Sequence, residues 1–210
     1  MAIIGTGNIG STLAANFAAG GQDFLLAGRD PETARKIADG LDGHADAVSV
    51  DEAVERADVL VFAVWFDVFK QLIAQYGERL AGKVIVDPTN AIEPDGRGGV
   101  RKTIGEQESS GQILAGLLPA GTRLVKAFGT LSAPTLAATA RREPERVVLF
   151  YATDDGAAGD LVADLIGAGG YEPVRVGGLD QSIRIEMFGD LHEYGALGRA
   201  VTKSEALEAI

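Results

Sequence analysis

Gly5-Thr6-Gly7-Asn8-Ile9-Gly10 stands almost at the start of the chain, between the apolar stub Ala2-Ile3-Ile4 and the helix-spaced stretch Ser11–Ala18. Strand, glycine turn and helix in that order turn a common glycine pattern into the fingerprint of a dinucleotide site. The first glycine makes the tight turn, the second lets a pyrophosphate approach the backbone, and the third lets the helix pack closely on the strand. Free N–H groups at the helix start, together with its dipole, favour negative charge there. Gly5, Thr6, Gly7, Asn8, Ile9 and Gly10 are therefore the first candidate cofactor contacts.

The rest of the chain agrees with such an opening. Short β-type runs alternate with helical patterns, as in a parallel α/β sheet. Strands are expected near Ala2–Ile4, Asp23–Ala27, Ala47–Val50, Val59–Val64, Lys83–Asp87, Arg123–Ala127, Val147–Ala152 and Pro173–Val176. Helices are expected to start near Asn8, Pro31, Asp51, Asp67, Ser109, Ala133 and Asp155. Val59–Val64 is continuously apolar, which suits a central strand covered on both faces. The expected fold class is α/β, a Rossmann-type doubly wound and mostly parallel sheet over residues 1–176, with a small C-terminal helical extension over 177–210. In that extension Ile185, Phe188, Leu191 and Leu197 fall on roughly one helical face, to pack on the sheet or on a second subunit of a homodimer. Residues 93–102 break the rhythm, being rich in glycine and charge, and the stretch 93–110 reads either as an active-site lid or as a solvated loop.

Composition removes several kinds of chemistry. With no cysteine, disulfides and thiol nucleophiles are excluded. Two histidines, His44 and His192, do not suggest a zinc centre, and no metal site is expected. Both read as surface residues, His192 within the C-terminal helix. A formal charge of −11 argues against a nucleic-acid partner. The longest apolar run, Val59–Phe66, is far short of a membrane span. The start lacks the marks of a signal peptide, so the expected location is the cytoplasm.

The end of the second strand indicates which dinucleotide. An NAD site puts a carboxylate there for the ribose hydroxyls. This chain has Gly28-Arg29, and a guanidinium can fork onto a 2′-phosphate, so NADP is expected. Asp30, directly before Pro31, reads as a helix cap, with a ribose contact as the alternative. Thr6 and Thr33 could add hydroxyl contacts to the 2′-phosphate. Ligands of open α/β sheets lie outside the carboxyl ends of the strands, which gathers Ala63, Val64, Trp65, Pro88, Thr89, Asn90, Ala127 and Phe128 on one rim. Trp65 reads as a channel wall or a core aromatic, Asn90 as a nicotinamide contact or a turn residue, and Phe128 as a flank of the acceptor ring or a core residue. Lys126 reads better as an ion-pair or phosphate partner than as a catalyst. No acid–base constellation is visible, so no catalytic residue is assigned.

These segments together resemble the NADPH-dependent coenzyme F420 reductase family. Ile3–Gly10 is similar to its opening, Gly28-Arg29 to its 2′-phosphate pair, and Phe62–Phe66 to the end of its fourth strand. Val86-Asp87-Pro88-Thr89-Asn90 resembles its D-x-T-N turn, and Val125–Leu131 its V-K-A-F-N-T segment. Gly177-Gly178-Leu179 sits where the family has a turn after the last strand. Val64 replaces the family's usual proline, and Gly129 its usual asparagine. The resemblance implies hydride transfer between NADPH and a deazaflavin (F420) or flavin-like acceptor, a small molecule. Such transfer asks the protein mainly to align two cofactors and exclude water. Arg97, Arg101 and Lys102, clustered on the irregular loop, read either as a basic patch for the acidic tail of F420 or as solvated loop charges. NADPH reduction of a small carbonyl or imine compound, and a non-catalytic NADP-binding sensor, are the alternative readings.

Overall fold

A computed structural model describes residues 1–210. The strands are β1 (Ala2–Ile4), β2 (Phe24–Ala27), β3 (Ala45–Ala47), β4 (Val59–Phe62) and β5 (Val84–Asp87). They continue with β6 (Ile92–Pro94), β7 (Val100–Lys102), β8 (Arg123–Ala127), β9 (Val148–Ala152) and β10 (Glu172–Gly177). The helices are α1 (Asn8–Ala19), α2 (Pro31–Asp39), α3 (Val50–Arg56), α4 (Phe66–Tyr76), α5 (Ser110–Leu117), α6 (Ala133–Thr139), α7 (Gly156–Ala168), α8 (Ser182–Ile185) and α9 (Lys203–Ala209). Eight strands form one sheet in the order β10-β9-β8-β5-β4-β1-β2-β3. Every neighbouring pair is parallel except β8–β9, so the doubly wound, mostly parallel sheet is present.

Alternation along the strands builds two cores, because successive side chains of a strand point to opposite faces. Ile3, Leu26 and Val61 face α1, α2, α6 and α7, packing with Phe17, Leu136 and Ile166. Ala2, Ile4, Leu60 and Phe62 face α3, α4 and α5, packing with Val54, Phe69 and Leu114. Each fully buried large apolar side chain stabilises the fold by about 1.5–3 kcal/mol relative to exposure. No helix is long and apolar enough to cross a membrane.

Three local expectations are corrected. The third strand lies at Ala45–Ala47 rather than Ala47–Val50, because Ser49 and Glu52 form a capping box that starts α3 at Val50. The segment 93–102 is a short antiparallel hairpin, β6–β7, too brief to show a period in the sequence. Its tip is folded on the Asp95 carboxylate, which accepts the N–H groups of Arg97 at 2.7 Å and Gly99 at 2.9 Å. Residues 177–210 hold no continuous helix. After α8 the chain turns repeatedly before α9, and Ile185, Leu191, Val201 and Ala206 pack on Val148, Phe150 and Val174 of the sheet. Phe188 faces away, with its ring half exposed.

Candidate NADP site at the carboxyl rim

From β1 the chain runs outward to β2 and β3, then crosses back to β4 on the other side of β1. That reversal is the switch point at which open α/β sheets bind ligands. The glycine turn sits on it, and packing dictates two of its glycines. Gly5 has φ of +122°, and a Cβ there would lie 2.1 Å from the Ala63 carbonyl oxygen. A Cβ on Gly10 would lie 1.9 Å from the Gly5 oxygen, so only glycine lets α1 come this close. Gly7 differs, since a Cβ on it would meet nothing within 4 Å. It is exposed and caps α1 with no side chain, and the first helical hydrogen bond is Ser11 N–H to Gly7 O at 2.9 Å. The N–H groups of Asn8 and Ile9 find no acceptor within the protein. Open space at Gly7 beside unpaired donors fits a pyrophosphate.

At the end of β2, Thr6 packs against Gly28, where a Cβ would come within 2.8 Å of its hydroxyl. The turn and the β2 end are thus one surface. Arg29 stands on it, exposed and without an ion pair or hydrogen bond. Asp30 caps α2, accepting the Glu32 N–H at 3.2 Å and the Thr33 hydroxyl. The Thr33 and Glu32 hydrogen bonds hold its carboxyl below the usual carboxylate range. Because the Thr33 hydroxyl is given to Asp30, a 2′-phosphate contact would have to redirect it.

Further along the rim, the Ala63 carbonyl walls the glycine turn, Val64 is half-buried beside it, and Trp65 is 61% exposed at the start of α4. Trp65 is therefore no core aromatic. Phe128 is one: its ring is fully buried and meets Phe17 edge-on at 5.7 Å, so it does not flank an acceptor, and Ala127 beside it is buried too. Asn90 spends both ends of its amide on the protein, donating to Gly129 O at 3.0 Å and accepting the Met187 N–H at 2.6 Å. Each end of the amide keeps a second N–H or lone pair, so a nicotinamide contact would share this side chain with those bonds. Gly129 is itself confined, since a Cβ would lie 2.9 Å from Pro88 O.

Beneath the rim lies a buried polar network that single-residue reading did not find. Lys126, 1% exposed, donates to Asp87 at 2.9 Å, to Ser110 Oγ at 3.0 Å and to Thr89 O. Glu186 accepts from Ser109 Oγ at 2.7 Å and from the backbone N–H groups of Ser110 and Gly111, both at 2.9 Å. His192 is not on the surface either, being 1% exposed. Its Nδ1 accepts the Tyr194 N–H at 3.0 Å, so Nε2 carries the proton and donates to Gly129 O at 3.1 Å. Burial lowers its pKa below the usual histidine value. The hydroxyls of Thr89 and Thr130, on either side of the Asn90–Gly129 bond, are buried without partners. An aspartate and a lysine at the ends of two apolar strands, Asp87 and Lys126, were available as a sequence clue, whereas nothing local marks Glu186.

Two further groups take no part in the rim. His44 pairs with Asp23 at 2.8 Å beside a cavity of about 370 Å³ on the amino edge of the sheet, away from the glycine turn. The basic patch is mostly spent internally: Arg101 pairs with Glu93, and Lys102 donates to Glu106 O and Glu108 O.

Comparison with known proteins agrees with this fold. Residues 1–91 match the family described as "NADP oxidoreductase coenzyme F420-dependent". The F420-dependent NADP reductase of Methanothermobacter thermautotrophicus is 30% identical over 192 residues, covering 87% of this chain and 82% of that protein. The rat metalloreductase STEAP3 is 29% identical over 184 residues, covering 88% of this chain, which spans only 35% of that protein's length. A crystal structure of a hypothetical protein from Sinorhizobium meliloti superposes with a TM-score of 0.83 at 31% identity, over 96% of this chain and 94% of that one. With its glycine turn at the switch point and this likeness over nearly its whole length, the chain belongs to the F420-dependent NADP oxidoreductase family, whose members are NADP-dependent oxidoreductases.

Proposed function

We propose that the protein binds NADPH across the switch point and passes its hydride to a deazaflavin (F420) or flavin-like acceptor. The observation that carries this is the open cradle at Gly7 with an unpaired Arg29 on the same surface. In this reading the N–H groups of Asn8 and Ile9 hold the pyrophosphate, and Arg29, assisted by Thr6, holds the 2′-phosphate. Val64 and Trp65 line the passage toward the nicotinamide, and the fixed loops at Asn90 and Gly129 close its far end. Bound NADPH supplies the hydride. The protein aligns the two reacting carbons and excludes water, which needs no acid–base side chain. The name of the methanogen relative supports F420 as the acceptor.

Arg29→Ala tests the cofactor. Losing a charge-assisted hydrogen bond worth about 1.5–3 kcal/mol should weaken NADPH by roughly ten- to hundred-fold and leave NADH nearly unchanged. Trp65, the one tryptophan, reports binding through its fluorescence. Equal losses for both cofactors would remove Arg29 from the site. Turnover assays with F420, FMN and simple carbonyl compounds test the acceptor, and turnover of a carbonyl alone would overturn the deazaflavin reading.

A further inference from the structure

We propose that Glu186 is a positioning residue that anchors the nicotinamide end of the site, an inference that rests on reading the rim as an NADP site. Glu186 is 3% exposed and belongs to no strand of the sheet, yet it brings a carboxylate into the interior. All three of its partners belong to the N-cap and first turn of α5: Ser109 Oγ, Ser110 N–H and Gly111 N–H. Lys126 grips the same turn from the sheet through Ser110 Oγ. Burial opposes the charge, but the Lys126 ammonium and these hydrogen bonds outweigh it and hold the carboxyl below its usual range.

The residues just past Glu186 give the anchor its purpose. Met187, its immediate neighbour, donates its N–H to Asn90, whose amide donates to Gly129 O. His192 donates to the same oxygen, and the Glu193 N–H donates to Thr130 O at 3.2 Å. One short segment thus ties the loop after β5 to the loop after β8, with Glu186 buried at its start. A buried charge is a weak source of stability, and its best-attested use is to fix register. The adenosine half of a dinucleotide lies toward β2, where Arg29 stands, and the nicotinamide half lies across the switch point. Loosening the anchor should therefore affect one half of the ligand.

The test is Glu186→Gln in the full chain, whose amide must turn an NH₂ or leave a donor unpaired against α5. Hydrogen exchange at the Met187, Glu193 and Tyr194 amides should quicken about tenfold or more, with β1 and β4 unchanged. Affinity for 2′,5′-ADP, the adenosine half alone, should stay within about twofold, while NADPH binds roughly fivefold or more weakly. Ser109→Ala, which removes one of the three bonds, should shift both readouts in the same direction by less, and it carries the test should Glu186→Gln not fold. Unchanged exchange, or equal losses for 2′,5′-ADP and NADPH, would overturn the proposal. Wild-type protein that binds neither ligand would overturn the NADP reading instead, and the exchange experiment would still judge the anchor.

Discussion

At the scale of single residues, the three glycines of the turn separate into two kinds. Gly10→Ala would drive a methyl into the Gly5 carbonyl, only 1.9 Å away, whereas Gly7→Ala would meet nothing in the protein. Overpacking of this sort costs about 1–3 kcal/mol. For a chain of this size that lowers the melting temperature by roughly 2–4 °C per kcal/mol. Gly10→Ala should therefore melt early, while Gly7→Ala should melt like wild type and lose NADPH affinity, because its methyl would occupy the space proposed for the phosphate. Calorimetry with and without NADPH separates the two, and a stability loss in Gly7→Ala would contradict the assignment. His192 carries a second residue-scale expectation. Burial keeps its folded pKa below the unfolded value of about 6.5, and the Glu193 carboxylate, pulling upward, does not reverse this. Its contribution is thus complete above that unfolded value and is lost as pH falls through the folded pKa, with a slope of at most about 1.4 kcal/mol per pH unit. Protonated Nδ1 would face the Tyr194 N–H it now accepts. His192→Gln can still donate to Gly129 O and does not titrate, so its melting temperature should fall less than that of wild type on acidification. Parallel profiles would show that another group governs acid sensitivity.

At the scale of elements, the sequence reading and the structure differ most in the C-terminal segment. Asp30 before Pro31, Ser49 with Glu52, and Asp155 each state a helix start in local chemistry, and α2, α3 and α7 begin there. The short β3, β6 and β7 were misplaced or overlooked, whereas the central strands were legible, since apolar runs such as Val59–Phe62 need no partner to be recognised. The C-terminal segment was not, because its apolar residues recur at helical spacing by coincidence. Gly189 and Gly195 decide otherwise: a Cβ on either would lie 2.3 Å or less from a carbonyl oxygen of a neighbouring turn. Glu186 and His192 were missed for a related reason, as their partners lie about 75 and 63 positions away and no local pattern joins them. Phe188 marks the folded-back path, with φ of +69° and a ring 51% exposed. An L-residue in that conformation is strained by roughly 1–2 kcal/mol, which glycine relieves while losing about 0.5–1 kcal/mol to chain entropy. Phe188→Gly should therefore leave thermal stability within about 1 kcal/mol of wild type. A larger loss, measured by denaturant titration, would mean that the ring packs against the protein.

At the scale of the whole molecule, local and global electrostatics act on the ligand with opposite signs. The chain carries −11, and NADPH is an anion, as is the F420 proposed as its acceptor, so the long-range field slows their approach. Arg29, exposed and unpaired, attracts at short range. Salt weakens both effects, and which one dominates is decided by removing the cation. Between about 0.01 M and 0.1 M salt the Debye length falls from roughly 30 Å to 10 Å, which screens the field of the distant carboxylates first. In wild type, added salt should also erode the Arg29–phosphate pair, so the Kd for NADPH should rise. In Arg29→Ala only the repulsion remains to be screened, so its Kd should fall over the same range. NADH, which has no 2′-phosphate, should follow the Arg29→Ala pattern even with the wild-type protein, because its anionic pyrophosphate meets the field without the pair. Fluorescence titration of Trp65 at several salt concentrations measures all three slopes on one scale. Slopes of the same sign for NADPH in wild type and Arg29→Ala would mean that Arg29 does not meet the phosphate, and that the charge selecting the dinucleotide lies elsewhere on the rim.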